Sequence, residues 1–260
     1  MPASYAHTCY GKMVYRELSR EIQRCIRRHP QAYLVGLHGP DLFFFYKPYR
    51  KNKIAAIGHQ AHEKEAWGFF DQVRQLAAND EVIKSYLMGF LCHFALDSAC
   101  HPYVSAYEKR HQVRHSDIET ELDRALMEEQ GKNPLLVDTV AHLQPSRRLC
   151  GKIAQLFPGT TTKIIRDCMK EFQRYSRLLI CRSSRKETLL RGLLGLGGKK
   201  FFVGGMIMGR KICPGCKEST ETLLRMIEEA VPLGRQLVTD FYERCQDGKP
   251  LDSRLKRNYK

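Results

Sequence analysis

Apolar residues recur at three- and four-residue spacing along most of this chain, the period of an amphipathic helix. Val14, Leu18, Ile22, Cys25 and Ile26, with Arg and Glu between them, predict one helix over residues 13–28. From Leu34 to Tyr46 the chain is apolar and aromatic but broken by Gly39-Pro40. Asp41 is therefore expected at a turn just ahead of Leu42, Phe43, Phe44, Phe45 and Tyr46. Gly58-His59-Gln60-Ala61-His62 leads into a helix whose apolar side carries Ala66, Trp67, Phe69, Phe70 and Val73. Residues 86–101 predict a further helix that Pro102 ends, and residues 115–129 another. Later, Ile164, Ile165, Cys168, Met169, Phe172, Tyr175, Leu178 and Leu179 form a long stripe. A last helix runs through Leu223, Ile227, Leu237 and Phe241, with a kink expected at Pro232. Strand-like alternation is nearly absent, so the pattern predicts an all-α fold, read as a single multi-helix domain over residues 1–260.

Composition narrows this picture. A chain of 260 residues with 43% hydrophobic side chains can bury a real core, which excludes a disordered protein. The ten cysteines are scattered rather than evenly framed. The opening Met1-Pro2-Ala3-Ser4-Tyr5-Ala6-His7 lacks the basic start and apolar centre of a signal peptide, so a reduced, cytoplasmic protein is expected. A net charge of +15 favours phosphate-bearing partners, either membrane lipid or nucleic acid. No apolar run reaches the ~18 residues of a membrane span, so any membrane contact is expected to be peripheral, at the inner face.

The Gly-rich stretch 191–217 is the natural place for such contact. Between Arg191 and Arg210 it mixes Leu193, Leu194, Leu196, Phe201, Phe202, Met206, Ile207 and Met208 with seven glycines and with Lys199 and Lys200. Apolar groups framed by cations suit a loop resting on an anionic surface; a buried loop packed on the core is the alternative. Cys213-Pro214-Gly215-Cys216 reads as a tight turn, because no second cysteine pair accompanies it to complete a zinc site.

Candidate chemistry concentrates in Phe90-Leu91-Cys92-His93-Phe94-Ala95-Leu96-Asp97-Ser98-Ala99-Cys100-His101-Pro102-Tyr103. On a helix each residue turns by about 100°, so His93, Asp97 and His101 share roughly an 80° sector. An ionised carboxylate among Phe94, Ala95, Leu96 and Ala99 must be paired, protonated or metal-bound, and two flanking imidazoles favour a metal. The plainer alternative is two satisfied core histidines around a buried hydrogen-bond acceptor. His115 and Glu119 lie one turn apart, a spacing also common on exposed helices. Asp41 beside an aromatic cluster suggests a pocket wall, with helix capping as the alternative. His59 and His62 can also be read as solvated first-turn residues. Only His142 follows Gly131, so residues 132–260 read as scaffold.

Together His7, Asp41, His59 or His62, His93, Asp97, His101, His115 and Glu119 form an ordered series of ligand-type residues within the first 119 positions. This series resembles that of the zinc-dependent phospholipase C family of bacteria, whose all-helical fold is shared with the zinc nucleases that cut single strands. The opening residues, the segment Gly39-Pro40-Asp41-Leu42-Phe43-Phe44-Phe45-Tyr46 and the helix 90–103 look like a cytoplasmic branch of it. The motif-bearing resemblance covers residues 2–119.

The resemblance implies up to three zinc ions. One would take Asp41, His62 or His59, His93 and Asp97, and a second His101, His115 and Glu119. Asp97 would bridge the first to a third, completed by His7 and a terminal amine. In the family a tryptophan exposed by signal cleavage supplies that amine; here removal of Met1 would expose Pro2, five residues ahead of His7. Two departures stand out. His101 follows Asp97 by four residues where the family usually leaves six between, which makes His111 a substitute candidate. The aromatic beside the family's pocket aspartate is here Leu42, so choline specificity does not carry over.

The implied activity is phosphodiester hydrolysis, foremost of a phospholipid to diacylglycerol and a phosphorylated headgroup. Asp41 would orient or deprotonate water, and Phe43, Phe44 and Phe45 would line the approach. The rival readings are a nuclease acting on single strands and a zinc-stabilised module that binds membranes without catalysis.

Overall fold

The computed structural model describes residues 3–196 and 204–259. Its α-helices are α1 Ser4–Glu17, α2 Arg20–Arg28, α3 Pro30–Gly36, α4 Lys53–Glu63, α5 Ala66–Asn79, α6 Glu81–His111, α7 His115–Glu129, α8 Arg147–Ala154, α9 Thr162–Leu179, α10 Ser184–Leu196, α11 Lys217–Glu229 and α12 Val231–Asp247. Short 3-10 turns cover Gly39–Phe45, Gly204–Met206, Pro214–Cys216 and Ser253–Leu255. Among the described residues there is no β-strand, only a parallel bridge between Ile180 and Met208, so the all-α expectation stands.

The 31-residue α6 is the axis of the fold, buried almost continuously from Val82 to Ser98. Its start is fixed by Asp80, whose carboxylate accepts the N–H groups of Val82 at 2.9 Å and Ile83 at 3.1 Å. α3 crosses it in backbone contact: a Cβ on Gly36 would lie 2.1 Å from the Tyr86 carbonyl oxygen, and one on Gly89 2.2 Å from that of Tyr33. Only glycine at both positions allows this approach. α1, α5 and α12 pack around the same axis, and one main core runs from Ala3 to Tyr259.

Several boundaries differ from those the pattern predicts. The helix expected over residues 13–28 is two, because Leu18 is extended and the Ser19 hydroxyl caps α2 by accepting from Ile22 N–H. His59 and His62 belong to the last turns of α4, which Asn52 caps, and α5 begins afresh at Ala66. Pro102 does not end α6. Its own face is exposed, while Cys100, Val104 and Tyr107 stay buried on either side of it, and the Tyr107 hydroxyl donates to the Gly215 carbonyl at 2.9 Å. Tertiary anchoring thus outweighs the missing Pro102 N–H. Pro232 lies in the first turn of α12 rather than kinking one helix, since one helix ends at Glu229 and the next begins at Val231.

Within 191–210, Arg191–Leu196 complete α10 and residues 197–203 lie outside the described residues. Ile207 and Met208 point inward, and Gly205 and Gly209 are tied to α7 by Thr120 and Arg124. Cys213–Cys216 is the expected tight turn, closed by Cys216 N–H on the Cys213 carbonyl at 3.0 Å. The ten cysteines are free.

Candidate metal centre

Four elements converge on the middle of α6. The turn after α3 begins at Gly39 with φ of 46° and swings Asp41 toward His93. α4 supplies His62 and α7 supplies Glu119 and His115 from its first turns. α1 supplies His7, although its own first residues offer no side-chain cap. Asp123 of α7 takes that role, its carboxylate accepting from Tyr5 N–H at 3.1 Å and Ala6 N–H at 2.8 Å.

Asp97 stands at the centre. Its Oδ2 lies 3.0 Å from His93 Nε2 and 3.5 Å from His62 Nε2, while its Oδ1 lies 3.3 Å from His7 Nε2 and 3.4 Å from His101 Nε2. Asp41 Oδ1 is 3.1 Å from His62 Nε2. Glu119 Oε1 is 3.1 Å from His115 Nε2 and 3.6 Å from His101 Nε2. The result is three groups, His7-His93-Asp97, Asp41-His62-His93 and His101-His115-Glu119, each with ligand-type atoms within 4.8 Å of one another.

Asp41 Oδ1, Asp97 Oδ2 and His93 Nε2 are buried and have no hydrogen-bond partner among the described residues. Leaving such atoms unpaired is unfavourable, and a cation among them satisfies all three at once, so the donor set fits a metal. Nitrogen and carboxylate oxygen together are the ligand chemistry of zinc.

The charges agree. Burial alone would raise the Asp97 carboxyl, yet His101, His93 and His7 hold it well below the usual range, and Asp41 is lowered likewise by His93 and His62. Burial disfavours a charged His62, but the adjacent Asp41 and Asp97 carboxylates outweigh it and lift the ring to about 10. His101 is raised likewise, its burial outweighed by Asp97 and Glu119, whereas burial and the neighbouring His93 lower His7.

Of the residues singled out by sequence, His7, Asp41, His62, His93, Asp97, His101, His115 and Glu119 come together. His59 does not; it is exposed, with its ring 4.5 Å from that of Phe44. His101 reaches the second group despite the short spacing, whereas the candidate substitute His111 stacks on Tyr107 at 4.0 Å. Pro2 lies outside the described residues. The three phenylalanines separate: Phe44 lies 5.4 Å from His62, but Phe43 is fully buried against Phe157 and Phe45 stacks on Phe172. Phe43 is core rather than approach.

Sequence reasoning missed three features. Asp123 shares a face of α7 with Glu119, and that i, i+4 spacing was a usable signal. His38 and His142 pair at 2.8 Å between Nε2 atoms, and burial holds His38 well below the usual histidine range and His142 at about 4. Tyr259, far from every motif, packs its ring 5.1 Å from His62.

Comparison with curated proteins and with solved structures finds no match. A family model described as zinc dependent phospholipase C matches residues 6–170, a span that contains every described member of the three groups. That match and the buried groups support zinc-dependent phosphodiester hydrolysis. Covering more than half of the sequence, it shows that the chain belongs to the zinc-dependent phospholipase C family.

Proposed function

We propose that this chain is a phospholipase C-type hydrolase that cleaves a phospholipid to diacylglycerol and a phosphorylated headgroup. The observation that carries the reading is Asp97, each of whose oxygens faces a different pair of histidines inside a buried cluster. Such a carboxylate suits a bridge between two cations. Asp41, His62, His93 and Asp97 would hold one zinc, and His101, His115 and Glu119 a second. A third would take Asp97, His7 and the amine of Pro2.

Bound zinc neutralises phosphate oxygens and lowers the pKa of water toward ~7. The protein's own part is to hold the reacting groups and manage the proton. Asp41 is ionised at neutral pH, so its carboxylate can orient an attacking water and accept its proton. Phe44, beside His62, borders the approach. His115 is the most exposed of the grouped side chains at 26%, which gives a charged phosphate a way in from that side.

Membrane contact has separate support. Leu189 and Leu193 are 65% and 58% exposed, one turn apart on α10, just ahead of Lys199, Lys200, Phe201 and Phe202. Those last four residues lie outside the described residues. Replacing them by Glu, Glu, Ser and Ser should weaken binding to anionic vesicles and spare turnover of a short-chain soluble substrate.

The test of function is metal content by mass spectrometry, followed by parallel release assays on mixed phospholipid vesicles and on single-stranded DNA. Zinc with diacylglycerol release supports the proposal. Nucleotide release alone makes the chain a nuclease, and zinc without either product makes it a binding module.

A further inference from the structure

Metal-binding histidines generally donate their second ring N–H to an acceptor, which fixes the tautomer and aims the other nitrogen at the ion. Two of the grouped histidines have such an acceptor within hydrogen-bond distance; for a third, His115, the nearest is Glu108 Oε2 at 3.8 Å. His62 Nδ1 lies 2.8 Å from the Gly58 carbonyl, one turn back in its own helix. His101 Nδ1 lies 2.9 Å from the carbonyl of Tyr259, a residue 158 positions further along the sequence.

The segment that delivers this carbonyl is held at several points. Leu251, Leu255 and Tyr259 are buried in the main core. The Arg257 carbonyl accepts from Ala66 N–H at 3.1 Å, and its guanidinium donates to the Ser98 hydroxyl at 2.8 Å. Tyr259 N–H reaches the His62 carbonyl at 3.4 Å, and its ring meets Phe94 edge-on at 5.0 Å. One residue therefore touches the backbone of His62 in one metal-ligand group and the ring of His101 in another.

We propose that Tyr259 is a positioning residue of the metal centre: its backbone carbonyl holds His101 as the Nδ1–H tautomer, and its buried ring keeps that carbonyl in place. The inference rests on the reading that His101, His115 and Glu119 hold a zinc ion. A strap of this kind makes assembly of that site depend on correct docking of residues 249–259.

The experiment is zinc titration of the metal-stripped full chain against a chromophoric chelator, comparing wild type, Tyr259→Phe, Tyr259→Gly, a chain ending at Asn258, and His101→Ala. Removing an outer partner of a metal ligand costs roughly 10- to 100-fold in affinity. The Gly variant and the shortened chain should therefore show one ion weakened by that factor with the others unchanged. Tyr259→Phe, which keeps ring and carbonyl, should stay within about twofold. Melting of the metal-free proteins checks that a loss is not general unfolding. Where the shortened chain melts early, the intact protein decides. Ring-nitrogen NMR of zinc-loaded wild type must show His101 protonated at Nδ1.

Unchanged affinity for every ion in the Gly variant, equal weakening of all ions, or a His101 protonated at Nε2 overturns the proposal. If His101→Ala binds zinc as wild type does, the zinc reading of that group falls, and the positioning role with it.

Discussion

Asp97 Oδ1 lies 3.3 Å from His7 Nε2, a buried contact that ties the first helix to the central one at the point where the ligand-type groups meet. Loss of an outer partner already costs 10- to 100-fold, so loss of charge on a shared ligand should cost more. Asp97→Asn is expected to lower bound zinc and reduce phosphodiester hydrolysis by at least about 100-fold. Full zinc content with wild-type turnover in this variant would remove Asp97 from the centre.

His62 gives the metal-free chain a pH signature. Its ring titrates at about 10 in the fold against an ordinary 6.5, because the stabilisation from Asp41 and Asp97 exceeds the opposing effect of burial. Between those values the folded chain holds a proton that the unfolded chain has released, so stability is full below 6.5 and declines as pH rises toward 10. Denaturant unfolding in chelator should show this decline, and His62→Gln should flatten it. With zinc the proton is displaced and the His62 contribution to the slope should vanish. A metal-free wild type and variant with parallel pH profiles would refute the coupling.

Gly39 joins backbone conformation to the site. A Cβ there would meet His93 Cδ2 at 2.4 Å, and the φ of 46° disfavours any side chain. Gly39→Ala should destabilise the fold by about 1–3 kcal/mol and lower zinc affinity together, because the turn can relax only by moving Asp41 or the His93 ring. Calorimetric melting and zinc titration read the two effects. Loss of stability with unaltered zinc binding would separate the turn from the centre.

The third ion is tested at the amino terminus. Mass spectrometry of the native protein should find Met1 removed and Pro2 unmodified. An uncleaved tag ahead of Pro2 should displace the ion assigned to His7 and Asp97 while helicity and the rest of the zinc remain, since a lost ligand weakens its own site first. A tagged chain that keeps three ions and full activity would make Pro2 a bystander.

Where local spacing decides the structure, the sequence was readable. His93, Asp97 and His101 share a face of α6 because helical geometry requires it, and the 115–129 helix has the bounds its pattern implied. Where distant contacts decide, it was not. Buried anchors on both sides of Pro102 carried α6 past it, whereas the break between α1 and α2 came from a local signal, the capping Ser19, masked by a continuous apolar stripe. His59 and His62 look alike as text. Only the packing of α4 against the Gly39–Phe45 turn sends one inward and leaves the other outside. Tyr259 carries no motif, since its contribution is a backbone carbonyl that every residue possesses.

The crossing at Gly36 and Gly89 has a consequence for tolerance to substitution. Because α3 and α6 meet through main-chain atoms, the span from Asp41 to His93 is set by bond lengths and van der Waals radii rather than by how well neighbouring side chains fill space. Core replacements elsewhere can then erode the temperature at which the chain melts long before they stretch that span. Like Gly39, these two glycines are positions where a single added methyl group would change the dimensions of the centre itself.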